Sequence, residues 1–141
     1  MGLIHLDAGV VIGFLDADDA HHPAARELLV RAADEGDHLA LAASALAECL
    51  VGPARHGDGA VDVVRTLIDR LPAEVVHLDT DTATAAARLR ARRGSLRLPD
   101  ALVIATAAVA GADRLVTTDT RWPTATAMGL NLTVQALHEG G

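Results

Sequence analysis

The chain has 141 residues, 50% of them hydrophobic and 22% charged, with a formal net charge of −7. That length supports one core and not two, so a single domain over residues 1–141 is expected, and the composition excludes a disordered chain. The acidic balance argues against simple electrostatic binding of nucleic acid, which goes with a basic footprint. All twelve basic residues are arginine, and the aromatic share of 1% leaves the core to Ala, Val, Leu and Ile. The one cysteine, Cys49, rules out an internal disulfide or a Cys-rich zinc site and makes a reducing cytoplasm the expected location. The opening MGLIHLDAGVVIGFLD has no basic n-region, Asp7 interrupts its apolar run, and no run is long enough for a membrane span.

In chain order, LIHL at residues 3–6 reads as a short buried strand ending at Asp7. VVIGFLD continues as a helical turn, and DADDAHH is a polar connection. PAARELLVRAADEG is an amphipathic helix, opened by Pro23 and closed by Gly36, with Leu28, Leu29 and Ala32 on one face. HLALAAS is a second strand, after which Ser44 is positioned to cap the helix SALAECLVGPA. AVDVVRTLIDRL is a further amphipathic helix, VVHL a third strand, and DTATAAARLRARRG a helix with an arginine-rich end. A helix from about Pro99 to Ala110, a fourth strand in RLVTTD and a short strand at NLTV complete the series. Short apolar strands alternating with helices predict an α/β domain with a mainly parallel sheet.

Four acids recur at matching places. Asp7 ends the first strand, Glu48 lies one turn into the helix after the second, Asp100 opens the helix before the fourth, and Asp119 ends that fourth strand. Each has an ordinary explanation: Asp7 and Asp119 as helix caps, Glu48 as a solvated helix residue, Asp100 as a first-turn acid favoured by the helix dipole. Parallel sheets, however, bind ligands beyond the carboxyl ends of their strands, and right-handed crossovers start these helices from that same edge. If the four converge, like charges about 4–6 Å apart repel by roughly 3–4 kcal/mol per pair at an effective dielectric near 20. Their sum, on the order of 10 kcal/mol, matches the whole stability of a domain. Only protons or a cation relieve it, and an all-oxygen site without cysteine suits Mg²⁺ or Mn²⁺ better than zinc.

The pattern resembles the PIN domain, and within it the VapC-type ribonuclease toxins of bacterial toxin–antitoxin pairs. The resemblance covers essentially the whole chain and rests on LIHLDAGVVIGFLD, SALAECL, LRLPDALVIATA and the TTD of RLVTTDTRW. It implies a PIN-like three-layer sandwich with a central, mainly parallel four- to five-stranded sheet flanked by helices. It further implies a Mg²⁺-dependent endoribonuclease, with Mn²⁺ as a substitute, whose active-site acids and metal ligands are Asp7, Glu48, Asp100 and Asp119. Asp7 and Asp100 would bind metal directly, Asp119 would complete or bridge the site, and Glu48 would orient or deprotonate the nucleophile. Thr117 would be a supporting contact. The implied partners are a VapB-like antitoxin whose tail places a basic side chain among the carboxylates, an RNA substrate, and a second copy of the chain in a homodimer.

One departure from the family pattern is visible. Where the family usually has a small hydroxyl or amide residue within two positions after the first aspartate, this chain has Ala8 and Gly9. A catalytically silent PIN domain that binds RNA or a partner protein is therefore the alternative. Arg88, Arg90, Arg92, Arg93 and Arg97 form the one dense basic cluster, readable as a solvated helix end or as a phosphate-positioning rim for RNA. DADDAHH reads as an exposed loop with Asp18 or Asp19 capping the next helix, and His5 and His77 read as satisfied core residues. The absence of any lysine opposes phosphatase and receiver-domain readings of the first aspartate, and there is no G-x-S-x-G elbow or dinucleotide fingerprint.

Overall fold

The computed structural model describes residues 2–140. Five short strands, β1 (Leu3–Leu6), β2 (His38–Ala42), β3 (Ala73–Val76), β4 (Arg114–Thr117) and β5 (Thr133–Ala136), form one sheet in the order β3-β2-β1-β4-β5. Every neighbouring pair is parallel. Parallel neighbours require crossovers, and helices supply them. These are α1 (Ala8–Leu15), α2 (His22–Glu35), α3 (Ala43–Ala54), α4 (Asp58–Arg70), α5 (Thr80–Arg92) and α6 (Leu98–Val109). The result is an α/β sandwich, a central parallel sheet flanked by helices.

The strand order fixes where a ligand can enter. From β1 the chain moves outward to β2 and then β3, and after β3 it crosses back to place β4 on the other side of β1. The direction of winding therefore reverses between β1 and β4, which opens a crevice at their carboxyl ends. Asp7 and Asp119 follow those two strands. The backbone N–H of Asp7 donates to the carbonyl of Val116 at 2.8 Å, so the two strand ends are tied together where the crevice begins.

The core is aliphatic, as the shortage of aromatics requires. Ile4, Leu6, Leu41, Leu115 and Val116 are buried in the sheet, and α6 buries Ala101, Val103, Ile104, Ala105, Thr106 and Ala107. An apolar helix buried on most of its circumference belongs to an interior and not to a surface. Local chemistry sets several helix ends. The Asp7 side chain accepts from the Ala8 N–H at the start of α1, Asp79 accepts from the Thr82 N–H at the start of α5, and Gly36 closes α2 at φ 72°.

The structure departs from four sequence expectations at this level. β2 runs directly into α3 at Ala43, so Ala42 holds the cap position, Ser44 is already helical, and its buried Oγ has no partner. β3 lies two residues earlier than VVHL suggested, which leaves His77 exposed past its end instead of in the core. Before α2, the N-cap residue is His21 without a side-chain bond. Asp16 and Asp19 instead accept from the N–H groups of Asp18 and His21, two residues on in each case. His5 is buried in β1 as expected, but its Nε2 has no hydrogen-bond partner.

Candidate functional site: an acidic crevice at the switch point

The crevice is built around Thr117, the last residue of β4, which is fully buried. Its hydroxyl donates to Asp7 Oδ2 at 2.7 Å and accepts from the Asp119 backbone N–H at 3.0 Å. The other oxygen of Asp7, Oδ1, accepts from the Ala8 N–H at 2.9 Å. A single hydroxyl thus links the ends of β1 and β4, using its one donor and one of its acceptor sites. The same hydroxyl fixes the direction of the Asp7 carboxylate.

The four acids influence one another electrostatically. Burial pushes the Asp7 carboxyl above the usual range, and Asp100 and Asp119 push it further, against the pull of the bonds from Thr117 and Ala8. Glu48, on an exposed turn of α3, is also raised, by desolvation first and then by Asp7 and Asp100, while Arg97 lowers it. Asp100 is raised by burial and then by Asp119, and lowered by Arg97 and Arg121. The Trp122 indole N–H also lowers it slightly, lying near the carboxylate without reaching hydrogen-bond geometry. Asp119 goes the other way, held below the usual range chiefly by the Arg121 side chain. Burial, helped by Asp7 and Glu48, lifts the Cys49 thiol to about 12, which makes it an inert core residue.

This geometry corrects the metal expectation. Among the described residues, no group of three or more His, Cys, Asp or Glu side chains is placed to hold a metal ion. Two of the four acids, Asp7 and Asp119, also have their oxygens turned to donors within the protein. Asp7 spends one oxygen on Thr117 and the other on the Ala8 N–H. Asp119 accepts from the Arg121 backbone N–H and Nε on Oδ1 and from its NH2 on Oδ2. The Mg²⁺-dependent endoribonuclease, its hydrolase chemistry and its divalent cofactor are therefore withdrawn. Arg97 offsets part of the negative charge at Glu48, Asp100 and Asp119, and Arg121 does so at Asp100 and Asp119.

The pattern in RLVTTDTRW assigns no role to Arg121 or Trp122. The available signal was a cation two residues after an aspartate that ends a strand, a spacing at which the side chain can turn back on the carboxylate. Of the basic cluster, Arg88, Arg90, Arg92, Arg93 and Arg97 are all exposed, and Arg93 donates to the carbonyl of Ala127.

A parallel sheet wound as 3-2-1-4-5, with acids at the carboxyl ends of its central strands, defines an α/β domain with a ligand crevice at its switch point. The PIN domain model matches residues 4–127, and the chain belongs to that family. No curated protein matches it in sequence. Among solved structures, a chain of VapBC2 from Rickettsia felis, bound to a DNA fragment from its promoter, superposes with a TM-score of 0.68 at 15% identity. That match covers 96% of this chain and 99% of the other. VapC20 of Mycobacterium tuberculosis, described as a sarcin-ricin loop cleaving toxin, gives a TM-score of 0.68 at 18% identity over 92% and 98% of the two chains. DNA-bound VapBC from Salmonella typhimurium gives 0.67 at 18% identity over 96% and 98%. These likenesses establish the fold. No helix among the described residues is long and apolar enough to cross a membrane.

Proposed function

We propose that the chain is a VapC-like PIN domain that acts by binding a protein partner, a small VapB-like antitoxin, and that it does not hydrolyse RNA. The observation that carries this reading is an apolar groove of about 320 Å³ lined by Phe14, Leu15, Leu29, Val30, Ala33, Leu67 and Leu71, with Arg70 at its rim. Its origin is legible in α4. That helix buries Ile68 and half-buries Val61 and Val64, yet leaves Val63 59% and Leu67 38% exposed one turn apart, and Leu67 lines the groove together with Val30 of α2, 45% exposed. A second apolar stripe on a helix that already has a core face marks a surface for another element. An apolar groove between helices suits the apolar side of an amphipathic segment.

The acidic crevice supplies the second contact. α1 connects the two places, with Asp7 at its start and Phe14 and Leu15 at its end. A partner segment leaving the groove along α1 reaches carboxylates that lack a full complement of counter-charge, where a guanidinium gains charge-assisted bonds. A toxin-antitoxin complex from Klebsiella pneumoniae shares this fold, as do chains of several VapBC structures, which supports the choice of partner. That no group of three or more His, Cys, Asp or Glu among the described residues is placed to hold a metal supports the silent reading. Binding would take place in the cytoplasm, in keeping with a lone free cysteine.

The test is co-purification of the tagged chain with its antitoxin, comparing the native protein with Leu67→Asp. The variant is expected to fold, since Leu67 is exposed, and to lose the partner. A complex that survives Leu67→Asp and Val30→Asp together would end the groove reading. A second reading, RNA held without cleavage along Arg90, Arg92, Arg93 and Arg97, is favoured by the exposure of those arginines on one stretch. It predicts RNA binding that weakens steeply with salt and is lost when these arginines are replaced.

A further inference from the structure

Arg121 turns back on the acid two residues before it. Its backbone N–H reaches Asp119 Oδ1 at 2.9 Å, its Nε reaches the same oxygen at 3.1 Å, and its NH2 reaches Oδ2 at 3.2 Å. One residue thus occupies both oxygens of one carboxylate in the forked geometry that guanidinium favours. The influence of its charge extends to Asp100, and Arg97, in the cap position of α6, acts on Glu48, Asp100 and Asp119. The crevice therefore carries its own cations.

We propose that Arg121 is the resident counter-ion of the crevice: a built-in guanidinium that claims Asp119 and excludes divalent cations. Two physical arguments support it. The side chain is tethered next to its acceptor, so its local concentration is high whatever the solution contains. Its charge, which reaches Asp100, also repels a divalent ion approaching that carboxylate, an effect that grows as salt is removed. The side chain is 85% exposed, so the pair by itself adds little stability and can be removed without disturbing the core. The proposal explains why carboxylates close enough to shift one another do not form a metal cage.

Mn²⁺ is the probe, titrated by calorimetry at low ionic strength into the native protein, Arg121→Gln and Arg121→Lys, with circular dichroism to verify folding. Arg121→Gln is expected to bind Mn²⁺ at least roughly tenfold more tightly than the native chain, equivalent to about 1.4 kcal/mol. Arg121→Lys, which keeps the charge, should stay near the native value. Adding Asp119→Asn to Arg121→Gln should abolish the gain. Equal affinity in the native protein and Arg121→Gln overturns the proposal, whether both bind or neither does, as does a gain that persists without Asp119. A measurement on the native chain alone is also decisive. Substoichiometric Mn²⁺ should leave the carboxyl carbon resonances of Asp7, Asp100 and Asp119 sharp, and selective broadening of all three would refute exclusion. No partner enters these experiments, so their failure leaves the groove reading standing, and the reverse holds too.

Discussion

The Thr118 side chain occupies the place where a side chain at Gly9 would stand. A Cβ built on Gly9 would lie 2.1 Å from Thr118 Oγ1 and 3.3 Å from both its Cβ and its Cγ2. This accounts for the departure from the family pattern after the first aspartate: the hydroxyl beside the start of α1 comes from the end of β4. Gly9→Ser should therefore be an overpacking substitution, costing about 1–3 kcal/mol, since β-branched Thr118 has few rotamers with which to yield. Combining Gly9→Ser with Thr118→Ala should recover most of that loss. Urea unfolding of the two single variants and the double reads the coupling directly, and additive effects would mean that the two side chains do not compete for one space.

Asp7 should destabilise the fold at neutral pH. Its folded pKa lies above its ordinary value of 3.8, from burial first and then from Asp100 and Asp119. A carboxyl raised in this way contributes stability that is complete below the unfolded pKa and is lost as pH rises through the folded one. Asp7→Asn keeps an oxygen to accept from Thr117 or Ala8 and removes the charge. It should raise Tm at pH 7, and the difference should shrink as the pH is brought down toward 3.8. A variant that melts below the native protein at pH 7 would show that the ionised carboxylate is needed by its two donors more than it suffers from burial.

His5 makes the opposite demand on pH. Burial lowers its pKa from 6.5 despite the nearby charge of Glu74, so the neutral ring is the folded form. Its contribution is fully present above 6.5 and is lost as pH falls from there through the folded value. The Nε2 without a partner adds a desolvation penalty that leucine, of similar size, would not carry. His5→Leu should gain about 1 kcal/mol at neutral pH and more on mild acidification, within the 1–3 kcal/mol typical of an unsatisfied buried group. Thermal melts at pH 7 and pH 5.5 test both parts. A loss at both would mean that the ring has packing that leucine cannot reproduce.

The alternation of apolar strands and amphipathic helices was legible because each signal is local: LIHL and RLVTTD are short apolar runs, and Pro23 and Gly36 bracket a helix. The placement of the acids at strand ends and helix starts followed from the same reading. The direction of their oxygens did not. Asp7 is held by a hydroxyl 110 residues away, and the Gly9–Thr118 contact joins equally distant segments. Arg121 is close in sequence to Asp119, but its return depends on the turn that follows β4. Ser44 misled for a different reason: β2 enters α3 without a loop, so the residue suited to capping arrives too late. Proximity of carboxylates could be read from the pattern, but not what already satisfied them.

Thr117 should be the most sensitive polar residue of the crevice. It is buried, donates to Asp7 Oδ2 and accepts from the Asp119 N–H, so its loss strands a partner on each side. Thr117→Val keeps the volume and removes both bonds. Two lost hydrogen bonds, one of them to a charged acceptor, amount to roughly 2–4 kcal/mol. Thr117→Ser keeps the hydroxyl and gives up only a buried methyl, about 1 kcal/mol. Chemical denaturation should therefore rank the proteins native, Ser, then Val. The carboxyl resonance of Asp7 should titrate at higher pH in the Val variant, because a bond that favours its ionised form has been removed. Equal stability of the Val and Ser variants, with an unmoved Asp7 titration, would mean that the hydroxyl does not tie β1 to β4.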